Sequence, residues 1–550
     1  MNVMRKILLL ALLLSFSLAN VFSQCTETPQ TKVMLIGDSW GFFMDYEQTL
    51  NNVFKKWGHS DIKYVTNSNI VVNGWETHDL LTPAAEQQMT SLFNQYPSIN
   101  VVHMSIGGND MLGDWKVSFS AGKTDSMMND VRSRIDSIVM FLKAAKPGIR
   151  IVWSGYTYPN FDEIINTAPF PFNGSSHPYY SAWQKMEFPT NIQINTVLND
   201  FSAKMVTYAA ADPQVDFVNA TGILQYTYGQ TTPLGVPPGG TYPPYTVPLP
   251  EGDPNYPSPE VAMRDYLSLA KDCFHLSGPS YADFIGYQTQ KFYQKFFMND
   301  LYLLSENNTQ TGTVSSQGNV SDSLFMGESN GEQFATVLSF NTTAMADTTL
   351  AKASIFISRN SLSGNNPISG NLDVKVKNGN FGTTVNVEAA DFAAGADGEV
   401  TPCLFGSNTG NGDWIRLDLP SQVYPFINNS ATTQFIISAP GFTGGKVNFN
   451  NSSDPDFAPV LNLTYGQVSG VANVKPNVFS VYPNPTNNIV NIKSNGEIIT
   501  QLQVTDILGK TVLNPAVTNN SIDISSLPSG MYLLNISTKT GKATYKVFKD

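Results

Sequence analysis

Three short segments of the sequence hold residues whose types and spacing could carry out acyl transfer. Gly37-Asp38-Ser39 closes the first apolar run. A serine at the carboxyl end of a first parallel strand lies where open α/β sheets place their active sites. Asp272-Cys273-Phe274-His275 sets a carboxylate three residues before an imidazole. A nucleophilic serine needs a base to take its proton, and that base needs a partner to fix its tautomer and balance the imidazolium. One loop could supply both here. Between these segments, Ile106-Gly107-Gly108-Asn109-Asp110 offers an amide able to donate to a developing oxyanion, although Gly-Gly-Asn-Asp is also good turn chemistry in its own right. The other histidines, His59, His78, His103 and His177, have no carboxylate so placed at a strand end and read as ordinary surface or core residues. Cys273 has acidic and aromatic neighbours rather than the electropositive setting that makes a thiolate, so it reads as packing and disfavours a thiol-dependent enzyme.

The elements that must position these residues follow from periodicity. From Lys32 to about Met298 short apolar runs alternate with stretches of helical period. Candidate strands are Val33 to Ile36, Ile62 to Val65, Val101 to Ile106, Ile149 to Trp153 and Val215 to Val218. A helix is expected from about Ser126 to Ala145, where Val131, Ile135, Ile138 and Leu142 share a face and Pro147-Gly148 stops the chain, and another from near Pro279. Interposed helices make this a doubly wound α/β layer domain of flavodoxin-like, three-layer type. Two Pro- and Tyr-rich segments, Tyr156 to Tyr180 and Tyr226 to Pro259, interrupt the rhythm and read as loops, either surface excursions or walls of a cleft. Beyond Asp300 the texture turns to Thr, Ser, Asn and Gly with alternating β-branched residues, as at Ala353 to Ile357, Leu372 to Val376 and Phe435 to Ile437. That reads as two all-β, sandwich-like domains.

In order and spacing the segments resemble the blocks of the SGNH (GDSL-like) hydrolases, whose members are esterases, lipases and carbohydrate deacetylases. The resemblance implies that Ser39 is the nucleophile, His275 its base and Asp272 the residue that orients the base. It also implies an oxyanion hole made by the amides of Ser39 and Gly74 and the side chain of Asn109. Gly74 enters through Asn73-Gly74-Trp75-Glu76-Thr77, where Trp75 and Glu76 are bulkier than that block usually carries. The tail holds Val481-Tyr482-Pro483-Asn484-Pro485, Asp506 to Lys510, Leu527-Pro528-Ser529-Gly530-Met531-Tyr532 and Lys546-Val547. It resembles the type A sorting domain of type IX secretion, which implies the type IX secretion machinery as partner and export through the outer membrane.

The chain of 550 residues divides on this reading into a signal peptide (1–23), a hydrolase domain (24–300), an accessory β domain (301–466), a linker (467–477) and the sorting domain (478–550). Arg5 and Lys6 before the apolar run Ile7 to Leu18 give the leader, since that run is shorter than the ~20 residues of a spanning helix. A lipid anchor on Cys25 fits less well, because Gln24 stands where a small residue is expected. A net charge of −12 excludes nucleic acid as a partner, since a polyanion is bound by clustered Lys and Arg. Three cysteines are too few for a disulfide framework. No cluster of His, Cys and carboxylate has metal-ligand spacing, so neither metal nor organic cofactor is expected. The function expected is that of a secreted serine esterase working through an acyl-enzyme on an ester substrate, an acylated glycan among the candidates. The alternatives are a lipase-like esterase on lipid esters and a surface-binding or adhesion protein on a spent hydrolase scaffold.

Overall fold

A computed structural model describes residues 28–228, 252–266, 270–298, 301–346, 349–406, 410–427, 429, 431–453, 457–465, 479–494, 499–506, 510–515, 521–538 and 542–550. The expected signal peptide, Cys25, the proline run Val236 to Gly240 and the 467–477 linker lie outside the described residues. By its contacts the chain separates into two compact units, 1–347 with 352–464, and 348–351 with 465–550.

The first unit opens with a five-stranded parallel sheet: β1 (Gln30–Gly37), β2 (Ile62–Val65), β3 (Val101–Ser105), β4 (Arg150–Ser154) and β5 (Val215–Val218). The order across it is β2-β1-β3-β4-β5, and every pairing is parallel. This is the flavodoxin-like order, whose direction of winding reverses between β1 and β3 and leaves a crevice at their carboxyl ends. Val33 to Ile36 and Val101 to Met104 are fully buried along their length, because helices cover both faces. The Ala121–Ala145 helix buries Val131, Ile135, Ile138 and Leu142 as the period requires. It starts earlier than Ser126, because the Ser120 hydroxyl caps it by accepting from the amide of Lys123.

After β5 the chain forms an antiparallel hairpin of β6 (Met263–Tyr266) and β7 (Ala270–Leu276), then the Gly278–Phe297 helix. Asp272 and His275 therefore stand on a strand and not in a loop. The Tyr156–Tyr180 segment is not loop throughout either, since it contains the short Asp162–Thr167 helix. Its anchor is the amide of Asn160, which donates to the carbonyl of Cys273 at 2.8 Å.

Residues 301–347 and 352–464 add a largely antiparallel β region, in which the strand that continues to Gly364 pairs with Trp414–Asp418 and Gly445–Phe449. It is fastened to the α/β part within the same unit. The buried guanidinium of Arg416 donates to the carbonyl of Gly58 at 3.1 Å and pairs with Asp61 at 2.7 Å. The second unit holds a three-stranded and a four-stranded antiparallel sheet around Phe479, Val490, Ile492, Leu502, Ile522, Leu534 and Ile536. No helix among the described residues is long and apolar enough to cross a membrane.

Candidate active site

The site grows from the two strands that flank the crevice. β1 and β3 pair in register down to Gly37 beside Ser105. A side chain at Gly37 would put its Cβ 1.9 Å from the Ser105 carbonyl oxygen, and φ there is +150°, so only glycine lets the strand end this close to its neighbour. Asp38 then caps the Ser39–Tyr46 helix, accepting from the amide of Trp40 at 2.9 Å. Ser39 is thereby the first residue of a helix that begins at the crevice. Trp40 turns inward and is fully buried, with the rings of Tyr156, Phe274, Tyr281 and Phe284 packed edge-on at 5.0–5.8 Å. That cluster ties the serine's helix to β7 and to the Gly278–Phe297 helix.

The result is a hydrogen-bonded chain across residues far apart in sequence. His275 Nε2 lies 2.7 Å from Ser39 Oγ, and His275 Nδ1 lies 2.9 Å from Asp272 Oδ2. The other carboxylate oxygen of Asp272 accepts from the amides of Phe274 and His275 at 2.8 and 2.9 Å. Burial alone would push the Asp272 carboxyl up, but hydrogen bonds from His275 and Tyr179 and the attraction of His275 hold it below the usual carboxylate range. Ser39 and His275 keep 6% and 8% of their surface exposed.

Asn109 leaves β3 on the other side of the crevice, in the first turn of the Gly108–Asp114 helix. Its Nδ2 donates to the carbonyl of Trp75 at 2.8 Å, which uses one of its two hydrogens and leaves the second for another acceptor. The loop carrying Gly74 is thus tied to the Asn109 helix. Gly74 has φ +81°, and a Cβ there would meet nothing within 4 Å, so its backbone borders open space. Sequence reasoning missed the clamp beneath this loop. Asp110, fully buried, accepts from the Thr77 amide at 2.9 Å, from the Thr77 hydroxyl at 2.5 Å and from Arg134 at 2.9 Å. Asp110 sat in a recognised motif without a role, whereas nothing local marks Thr77 or Arg134.

Two further tyrosines were also not foreseen, Tyr156 buried and Tyr179 half-buried. Tyr156 donates to Asp38 at 2.5 Å, and burial pushes the Asp38 carboxyl up to about 7 against the pull of that bond. Tyr179 donates to Asp272 Oδ2 at 2.6 Å. Of the remaining histidines, His177 packs against this chain, its Nδ1 accepting from the Tyr179 amide at 3.2 Å and lying 4.0 Å from Cys273 Sγ. His103 is buried against Tyr293 and Ser154, its pKa pushed down by burial to about 3. His78 is exposed beside Glu76 and Asp79. Cys273 is fully buried, and burial followed by the charge of Asp272 pushes its thiol well above the ordinary range, the reverse of what a thiolate nucleophile needs. Among the described residues no group of three or more His, Cys, Asp or Glu could hold a metal ion.

No curated protein matches the chain. Similar solved structures include a GDSL-like lipase from Bacteroides thetaiotaomicron (16% identity, 50% of this chain and 94% of that one, TM-score 0.25). A family 3 carbohydrate esterase from Clostridium thermocellum is also similar (14% identity, 48% and 98%, TM-score 0.26). So is a carbohydrate esterase family 3 protein from Talaromyces cellulolyticus (12% identity, 47% and 94%, TM-score 0.25). One family model matches, that of the secretion system C-terminal sorting domain, over residues 480–550. The end of the chain is therefore a type IX secretion sorting domain, and the protein is exported across the outer membrane to the cell surface or the medium.

Proposed function

We propose that the protein is an exported serine esterase of SGNH type. The observation that carries this reading is the continuous Ser39–His275–Asp272 chain, with contacts of 2.7 and 2.9 Å, at the carboxyl edge of a parallel sheet. In the reaction His275 Nε2 takes the hydroxyl proton as Ser39 Oγ attacks the ester carbonyl. The tetrahedral oxyanion is held by the amides of Ser39 and Gly74 and by the second hydrogen of Asn109 Nδ2. Collapse of the intermediate expels the alcohol, which takes the proton from His275. Water then gives a proton to the same nitrogen as its oxygen adds to the acyl carbonyl, and breakage of the acyl–Oγ bond returns that proton from His275 to Ser39 Oγ and releases the acid. Asp272, held by four donors, keeps its charge and balances the imidazolium in both steps.

Within this reaction an acylated glycan is the favoured substrate. Tyr180, Trp183 and Phe188 form an aromatic cluster with ring centroids 5.2–5.5 Å apart, directly after Tyr179, which touches the triad. Amphipathic rings of this kind stack on sugar faces. Purified protein is expected to release acetate from acetylated xylan and to hydrolyse nitrophenyl acetate faster than longer-chain esters. Ser39→Ala should abolish both activities. A preference for long acyl chains would favour the lipid-ester alternative, and full turnover by Ser39→Ala would remove the esterase reading.

A further inference from the structure

We infer that Tyr179 is a positioning residue for the catalytic base, acting by sharing the carboxylate oxygen of Asp272 that His275 uses. The inference rests on the esterase reading above. Tyr179 Oη donates to Asp272 Oδ2 at 2.6 Å and lies 3.2 Å from His275 Nδ1. Since Nδ1 must carry a proton for Nε2 to accept from Ser39, the two groups are both donors and converge on one oxygen. The tyrosine proton therefore offsets part of the negative charge that the imidazolium would otherwise feel. It also locks the carboxylate's rotation, because Oδ1 is occupied by two backbone amides.

The tyrosine is itself held at both ends of its segment. It precedes the Tyr180–Lys185 helix, its carbonyl accepts from the amide of Trp183 at 3.1 Å, and its amide donates to His177 Nδ1 at 3.2 Å. At the far end Glu187 accepts from the amide and hydroxyl of Ser118 at 2.8 and 3.0 Å, and the Met186 carbonyl accepts from Val117. Glu187 and Phe188 both take left-handed backbone, φ 66° and 54°, which non-glycine residues adopt only when their surroundings hold them there. Val117 and Ser118 follow the helix that bears Asn109. One segment thus runs from the acid of the triad to the stretch after the oxyanion asparagine, with Tyr179 as its contact on the triad side.

The charged and titratable groups around His275 come from several elements: Asp272 and Arg264 from the β6–β7 hairpin, Asp38 at the end of β1, and Tyr179. Tyr281 comes from the following helix, Glu47 lies against Gly278, and His177 accepts from the amide of Tyr179. Arg264 lies 3.6 Å from the same Oδ2 and stacks over Phe43, so it remains to neutralise Asp272 when the tyrosine hydroxyl is gone. Asp38 is paired with Tyr156 rather than Tyr179 and contributes equally to wild type and variant.

The test is the pH profile of kcat/KM for Tyr179→Phe on nitrophenyl acetate, with Trp183→Phe in the same segment and Ser39→Ala as controls. Without the hydroxyl the carboxylate pulls harder on the imidazolium. The acid limb should then move to higher pH by about half a unit, with kcat on the plateau lowered roughly three- to tenfold and KM within about twofold. Trp183→Phe should leave the limb in place. An unmoved limb in Tyr179→Phe, a downward shift, or an equal shift in Trp183→Phe would each overturn the inference. These results are separable from failure of the underlying reading, which would appear as retained turnover in Ser39→Ala.

Discussion

Replacing Asn109 by alanine tests the oxyanion assignment and separates it from a turn role. The change removes two hydrogen bonds of different kinds. One is present in the resting protein, from Nδ2 to the Trp75 carbonyl at 2.8 Å, and its loss lowers stability by about 1 kcal/mol. In a unit of this size that moves Tm by no more than a few degrees. The other forms only as the oxyanion develops, and a lost donor of that type costs about 2.7–4 kcal/mol in the transition state, or roughly 100- to 1000-fold in kcat. Because the substrate carbonyl gains the bond mainly on becoming tetrahedral, KM should change little. Loosening of the Gly74 loop could mimic the effect, and Thr77→Val controls for it by cutting the Asp110 clamp beneath the same loop. The assay is steady-state hydrolysis of nitrophenyl acetate with Tm measured on the same preparations. Asn109→Ala should lose at least about 100-fold in kcat, and Thr77→Val should lose Tm with a much smaller kinetic effect. A destabilised Asn109→Ala with wild-type kcat, or a Thr77→Val equally impaired in kcat, would refute the donor role.

Asp38→Asn should change how stability depends on pH. The folded-state pKa of Asp38 is raised from 3.8 to about 7, so the wild type is most favoured below the unfolded value and loses stability as pH rises through that interval. The loss is at most ~4 kcal/mol, from about three units at ~1.4 kcal/mol each. The Tm of wild type relative to Asp38→Asn should accordingly fall between about pH 4 and pH 7 and then level off; a difference flat across that range would contradict it. Deleting residues 478–550 should leave hydrolysis by the purified protein intact and stop its appearance outside the producing cell. Normal export of the shortened protein would overturn the dependence on that segment.

The sheet was legible because its strands are continuous apolar runs. Val33 to Ile36 and Val101 to Met104 are buried on both faces and leave no alternation to confuse with an exposed strand. Ser39, Asn109, Asp272 and His275 were visible as short motifs, each at an apolar run's end or just before a helix. What stayed hidden depends on contacts between segments with no shared local signal. Tyr179 meets Asp272 across 93 positions, Thr77 meets Asp110 across 33, and Tyr156 meets Asp38 across 118. The Asp272–His275 segment reads as a loop because it sits between a proline-rich stretch and a helix. Only the flanking Ala270, Lys271 and Leu276 pair with β6, and the four residues between them fall where the register shifts, which periodicity alone does not reveal. The start of the Ala121–Ala145 helix was misjudged for a different reason: its first turn carries no apolar face, and the Ser120 cap decides where it begins.

The central claim is that Ser39 is the nucleophile and that His275 activates it. An active-site-directed fluorophosphonate, which reacts with a serine only when a neighbouring base has taken its proton, tests both halves in one experiment. Peptide mass spectrometry of the treated, active protein should find the phosphonyl group on Ser39 Oγ, with labelling lost in His275→Ala. An active preparation labelled on another serine, or labelled on Ser39 just as fast in His275→Ala, would contradict the account.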